Sequence, residues 1–101
     1  DDATAVPLNE TEAVKLSKLM IERGQYQLAI IPAKTATEMD PSYRDAWLYL
    51  GIANLKTANL IEMKNETREN YLEAAKTALN KAKTLDPTYQ PTLDYLKEMG
   101  S

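Results

Sequence analysis

Two Asp-Pro steps govern how this chain can fold. Asp40-Pro41 and Asp86-Pro87 each close a run of apolar residues at helical spacing, and each is followed by a new run of the same kind. Proline disfavours the helical conformation of the residue before it, so each step is a stop inside an otherwise helical stretch. The two stops are related. A shift of 46 positions lays Ala36, Asp40, Pro41, Tyr43, Tyr49 and Leu50 on Ala82, Asp86, Pro87, Tyr89, Tyr95 and Leu96. Repetition of a helix end followed by a fresh helix is the signature of a repeat architecture.

The segments between the stops read as helices. Residues 1–8 form an extended lead-in closed by Pro7, after which Asn9 or Thr11 can cap a helix. From Ala13 onward, Val14, Leu16, Leu19, Met20 and Ile21 follow helical spacing. Gly24 then ends the helix near Arg23, a cation suited to a helix C-terminus. A second helix is expected over 26–39, with a kink or broken turn at Pro32, which has no N–H for the Leu28 carbonyl. A third starts near Tyr43 or Arg44, and its apolar pattern runs on through Ala58, Leu60, Ile61 and Met63. Lys64 to Thr67 reads as a turn with Asn65 or Thr67 as the next cap, a fourth helix covers about 68–85, and a short fifth lies near 92–99. Nothing alternates with period two. The expected fold is all-α, five helices built as helical hairpins with short joints.

Composition narrows the chemistry. The 101 residues fit one domain. With 44% hydrophobic residues, the chain is too apolar to stay disordered. No apolar run approaches the length of a membrane span, and no leader of the basic–apolar–small type is expected. The chain has neither Cys nor His, which removes disulfides, thiol nucleophiles, the usual zinc sites and the commonest general base. Gly24, Gly51 and Gly100 are too scattered for a phosphate-cradling loop. Of the net charge of -3, residues 1–14 contribute four acids and no base, which leaves the rest of the chain near neutrality. A neutral body without a basic stripe argues against nucleic acid, whose backbone calls for clustered Lys and Arg. No cofactor and no metal is expected, and the reading is non-enzymatic.

The repeat resembles the tetratricopeptide family, whose unit is a helix–turn–helix of about 34 residues. Gly24, Tyr26, Ala29, Ala36 and Asp40-Pro41 stand where that family has its turn glycine, turn aromatic, two small packing residues and terminal Asp-Pro. Trp47, Leu50 and Gly51 match its opening W-x-x-L-G, and Ala75, Ala82, Leu85 and Asp86-Pro87 match its second half. The resemblance implies repeat one at 10–43, repeat two at 44–89 and a capping helix at 91–99 that carries Leu93 and Leu96. There are departures. Ser17 replaces a glycine, Ala13 replaces an aromatic, and Pro32 is unusual inside a second helix. From Trp47 to Pro87 is 40 residues, where the family has about 28. The second repeat therefore carries about 12 extra residues near 58–69. Helical periodicity on both flanks predicts that they lengthen the two helices by about six residues each, carrying the hairpin tip out by ~9 Å, the alternative being a disordered insertion. Two repeats make a small array, so the expectation is a segment of a longer protein.

In this family, partners lie in the groove formed by the first helices. The resemblance implies groove positions at Thr11, Val14, Lys18, Ile21 and Glu22, at Asp45, Leu48, Ile52, Leu55 and Lys56, and at Asp94 and Glu98. Members that grip acidic C-termini with a carboxylate clamp use Lys and Asn where this chain has Val14, Lys18, Leu48 and Ile52, so no clamp is expected. The partner-binding set is Val14, Lys18, Ile21, Asp45, Leu48, Ile52 and Leu55. Its apolar members suit an amphipathic helix or an extended apolar peptide. The expected function is a non-catalytic protein–protein interaction scaffold. The alternative is a structural or self-associating segment of a larger protein, with the groove covered by Val6 and Leu8, by a neighbouring repeat or by a second copy.

Other features read more plainly. Glu62 with Glu66, and Glu69 with Glu73, are i, i+4 carboxylate pairs in a Lys-bearing stretch and read as a solvated face. Leu60, Ile61 and Met63 are expected to pair with Tyr71 and Leu72 across the hairpin tip. Asn9-Glu10-Thr11 and Asn65-Glu66-Thr67 fit the N-glycosylation pattern, which carries meaning only in a secretory setting.

Overall fold

The computed structural model describes residues 9–60 and 64–100. These form five helices and no strand: α1 (Glu10–Glu22), α2 (Tyr26–Met39), α3 (Arg44–Ala58), α4 (Asn65–Leu85) and α5 (Gln90–Glu98). The lead-in at 1–8, Ile61, Glu62, Met63 and Ser101 lie outside the described residues. The packing follows chain order, α1 on α2, α2 on α3, α3 on α4 and α4 on α5, with a lighter contact of α1 with α3. The fold is therefore all-α, hairpin laid on hairpin. No helix among the described residues is long and apolar enough to cross a membrane.

Local chemistry explains most helix ends. Asn9 caps α1 by accepting the Glu12 N–H at 2.9 Å. Gly24, at φ +78, ends it: the Gly24 N–H reaches the Ile21 carbonyl at 3.0 Å and the Gln25 N–H reaches Met20 at 2.8 Å. That pair of bonds is the Schellman arrangement, which needs a left-handed residue and so favours glycine. Both Asp-Pro steps act as stops, with Asp40 and Asp86 as C-caps whose N–H groups bond to Ala36 and Ala82. Pro32 is buried in α2, which nonetheless runs unbroken as a helix. α5 begins two residues earlier than the spacing predicted and holds Pro91 in its first turn, where the missing N–H costs nothing.

The extra length of the second hairpin is shared unevenly. α4 has 21 residues against 14 in α2, seven more, whereas α3 has 15 against 13 in α1, only two more. Equal lengthening was predicted, with the turn at 64–67. Instead α3 stops at Ala58 with Asn59 as C-cap, Leu60 lies beyond its end, and α4 already begins at Asn65. The Arg68 guanidinium accounts for the early stop. It donates from Nε to the Ala58 carbonyl at 2.9 Å and from Nη2 to Leu60 at 3.4 Å, which places a cation on the carbonyl end of α3.

Two clusters of buried side chains hold the hairpins. Ala13, Val14, Ala36 and Ala46 join α1, α2 and α3. Leu48, Ile52, Leu79, Ala82 and Leu96 join α3, α4 and α5. Tyr49 packs against both clusters and is the side chain common to them. Trp47 packs against the second cluster from the seam between the hairpins, where its indole donates to the Pro41 carbonyl at 2.8 Å.

Candidate functional site

The first helices of the two hairpins and the last helix, α1, α3 and α5, share a shallow cleft of about 290 Å3. Its wall on α1 carries Lys18, Ile21 and Glu22, and its floor on α3 is Leu48, Tyr49 and Ile52. Tyr89, Pro91 and Tyr95 close the far side. Pro91 and Tyr95 also line a second hollow of about 310 Å3 with Asp94 and Glu98, so the two hollows meet at a Pro-Tyr ridge.

The sequence-derived set is only partly brought together here. Lys18, Ile21, Leu48 and Ile52 converge on the cleft. Leu48 and Ile52 do so as its floor, at 3% and 5% exposure, because they also pack on Leu79, Ala82 and Leu96. They are core residues that show one edge to the cleft. Val14 lies beneath the surface with Ala13, Ala36 and Ala46 and does not line it. Leu55 is buried and opens instead into a different hollow, bounded by Leu72, Lys76 and Met99. Asp45 is already engaged, since Arg44 donates to its Oδ1 from Nε at 2.9 Å and Nη2 at 2.7 Å. Lys56 lies over the Tyr26 ring, 5.7 Å from its centre, and faces α2 rather than the cleft.

Arg44 holds the far side of the cleft in place. Besides Asp45 it donates from Nη1 to Asp86 at 2.7 Å and stacks 3.5 Å from the centre of the Tyr89 ring. Partial burial disfavours its charge, but the bonds to Asp45 and Asp86 outweigh that and raise its pKa above the ordinary arginine value. One guanidinium thus ties the start of α3 to the second Asp-Pro turn and to a cleft tyrosine.

The tyrosines are what sequence reasoning missed. Tyr49, Tyr89 and Tyr95 stand out in the sequence only as repeated positions, and the structure has them half-buried, packing on the core and facing the cleft at once. The signal was present in the repeat, which superposes Tyr49 on Tyr95 and Tyr43 on Tyr89. Burial, followed by the nearby Asp45 carboxylate, raises the Tyr49 pKa above its usual 10.0. The Tyr49 and Tyr95 hydroxyls bond to no side chain or carbonyl among the described residues.

A wider cleft of about 650 Å3 lies on the opposite side, between α2, α3 and α4, and is lined by Ile30, Lys34, Trp47, Leu50 and Ala74 among others. Much of its polar capacity is spent locally: Trp47 donates to Pro41, Asn54 to the Leu50 carbonyl and Thr37 to the Lys34 carbonyl. The α1–α3–α5 cleft keeps free hydroxyls and is the better candidate for specific recognition.

In comparisons with known proteins, no family model, no curated protein and no solved structure matches the chain.

Proposed function

We propose that this chain is a tetratricopeptide-like interaction module that binds an apolar peptide or amphipathic helix in the α1–α3–α5 cleft, without catalysis. The observation that carries this reading is the convergence of Ile21, Tyr49, Tyr89 and Tyr95 over a floor of Leu48 and Ile52. Tyrosine supplies broad apolar contact and a hydrogen bond at low entropic cost, and is enriched among residues that dominate binding energy. The pre-built core beneath keeps the floor rigid, so little ordering is spent on binding. The rims add a charge preference. Glu22, Asp94 and Glu98 carry three negative charges against one positive charge on Lys18, which favours an apolar segment flanked by Lys or Arg.

The test is selection of binding peptides from a random display library, followed by titration against variants. Enriched peptides should be apolar with basic flanks. Their affinity should fall by roughly 30-fold or more in Tyr95→Ala and in Ile21→Asp, as expected for central contacts. Helical circular dichroism should persist in both, since neither side chain is fully buried. Peptides that bind both variants as tightly as the parent chain would sink the reading. Leu48→Glu is a poor probe, because a charge placed in the core would unfold the second hairpin.

A further inference from the structure

The two ends of the helical stack differ. At the C-terminal end, the outward side of α5 is polar: Gln90, Asp94 and Lys97 are exposed, and Gln90 donates to Asp94 at 2.8 Å. That end is sealed in the manner of a capping unit. The opposite end is the side of α1 and α2 turned away from α3, and it is apolar. On α1, Leu16 and Leu19 lie on the side opposite to Val14 and Ile21, which pack toward α3. On α2, Leu28 and Met39 lie opposite to Ile30, which faces the α2–α3–α4 cleft, and Ile31 lies opposite to Ala33 and Ala36. Leu19, Leu28, Ile31 and Met39 are 40%, 51%, 65% and 43% exposed, and with Leu60 they are the large exposed hydrophobic residues of the described chain.

We propose that this end face is the interface of a two-fold homodimer, in which two α1–α2 hairpins pack end to end as a four-helix bundle. A head-to-tail contact is disfavoured, because it would press the apolar face against the polar side of α5. Head-to-head pairing buries like against like and closes on itself. The charge order along α1 fits that operator. Glu12, Leu16, Leu19 and Arg23 form one stripe at i, i+4, i+7 and i+11. The stripe is acidic at its start, apolar in its middle and basic at its end, so it is self-complementary when two copies run antiparallel. The same crossing that sets Leu16 of one copy against Leu19 of the other also sets Glu12 against Arg23. Among the described residues neither charge forms an ion pair, since both ion pairs there belong to Arg44, and Glu12 accepts only a 3.5 Å bond from the Asn9 amide. The interface is separate from the cleft, which lies on the other side of α1.

Sedimentation velocity on the full chain, from micromolar to high micromolar concentration, tests this. The expected result is a concentration-dependent shift to dimer mass. Leu19→Glu and Ile31→Glu should each leave a monomer with unchanged helical ellipticity. Glu12→Arg alone and Arg23→Glu alone should each weaken the dimer by about tenfold, and the two together should restore it, because the swap keeps every antiparallel contact paired. A monomer across the whole range overturns the proposal, as does a dimer that survives Leu19→Glu, a double swap that fails to restore association, or a dimer abolished by Ile21→Asp, which would place the contact in the cleft.

Discussion

The two hairpins solve one crossing with opposite distributions of volume. Their first helices are related by a shift of 34 positions and their second helices by 46, the difference being the insertion between them. In the first hairpin the crossing residue on α1 is Ser17, fully buried, whose hydroxyl donates to the Ala29 carbonyl on α2 at 2.8 Å. In the second, Gly51 stands in its place and Ala75 in the place of Ala29. A Cβ on Gly51 would lie 3.3 Å from the Ala75 carbonyl, the counterpart of the oxygen that Ser17 binds. The change is matched on the other helix. Where α2 has Ala33, α4 has Leu79, and a Cβ on Gly51 would sit 2.6 Å from the Leu79 Cγ. Bulk has moved from the first helix of the pair to the second, and a hydrogen bond has been exchanged for apolar burial. The lesson is that the pair of residues, not either one alone, sets how closely the helices approach.

The largest effect should come from Leu79→Ala. Leu79 is fully buried and central to the α3–α4–α5 cluster. Its truncation should cost about 2–5 kcal/mol, the range for a buried leucine that leaves a cavity. Urea unfolding with an unchanged slope would read this as a lower midpoint. A loss under about 1 kcal/mol would mean that the second hairpin does not rest on this side chain.

Gly51→Ala sharpens the same contrast through a change of sign. In the parent chain the added methyl collides with Leu79. Overpacking of about 1–3 kcal/mol should exceed the ~1 kcal/mol that alanine gains over glycine in a helix, so the variant is destabilised. In the Leu79→Ala background the collision is gone and the methyl fills part of the cavity, so the same substitution should stabilise by about 1 kcal/mol. Additive free energies in this double-mutant cycle would show that the two residues are not trading volume.

How far the sequence disclosed the molecule depends on how local each cause is. Helix existence and most stops were legible, because Asp40-Pro41, Asp86-Pro87 and Gly24 act through their own backbone conformations. The end of α3 was not, because it is set by Arg68 reaching back ten positions, an effect no window of apolar spacing contains. The candidate site divides in the same way. Periodicity identified Leu48, Ile52 and Leu55 as apolar, but it could not rank their depth, which depends on α4 and α5 packing over them. Asp45 looked available until Arg44 was seen to claim it. The tyrosines were legible as repeated positions but not as cleft-lining ones, because tyrosine satisfies a core with its ring and a surface with its hydroxyl.

The smallest effect belongs to Ser17, and it tests the comparison from the other side. Ser17→Ala removes a neutral hydrogen bond worth about 1 kcal/mol, but it leaves no orphan. The Ala29 carbonyl lies inside α2 and keeps its own helical acceptor role, and alanine recovers about half of the loss through its higher helix propensity. A net cost near 0.5 kcal/mol follows. Ser17→Gly removes the same hydroxyl and adds backbone freedom, so it should cost about 1.5 kcal/mol. The order of preference therefore reverses between equivalent sites. Alanine should outrank glycine at position 17, where α2 offers only Ala33 across the gap, and glycine should outrank alanine at position 51, where α4 offers Leu79. Three single variants, the parent chain and one set of urea midpoints decide it. The same order at both positions would mean that helix propensity, rather than the facing side chain, governs the crossing.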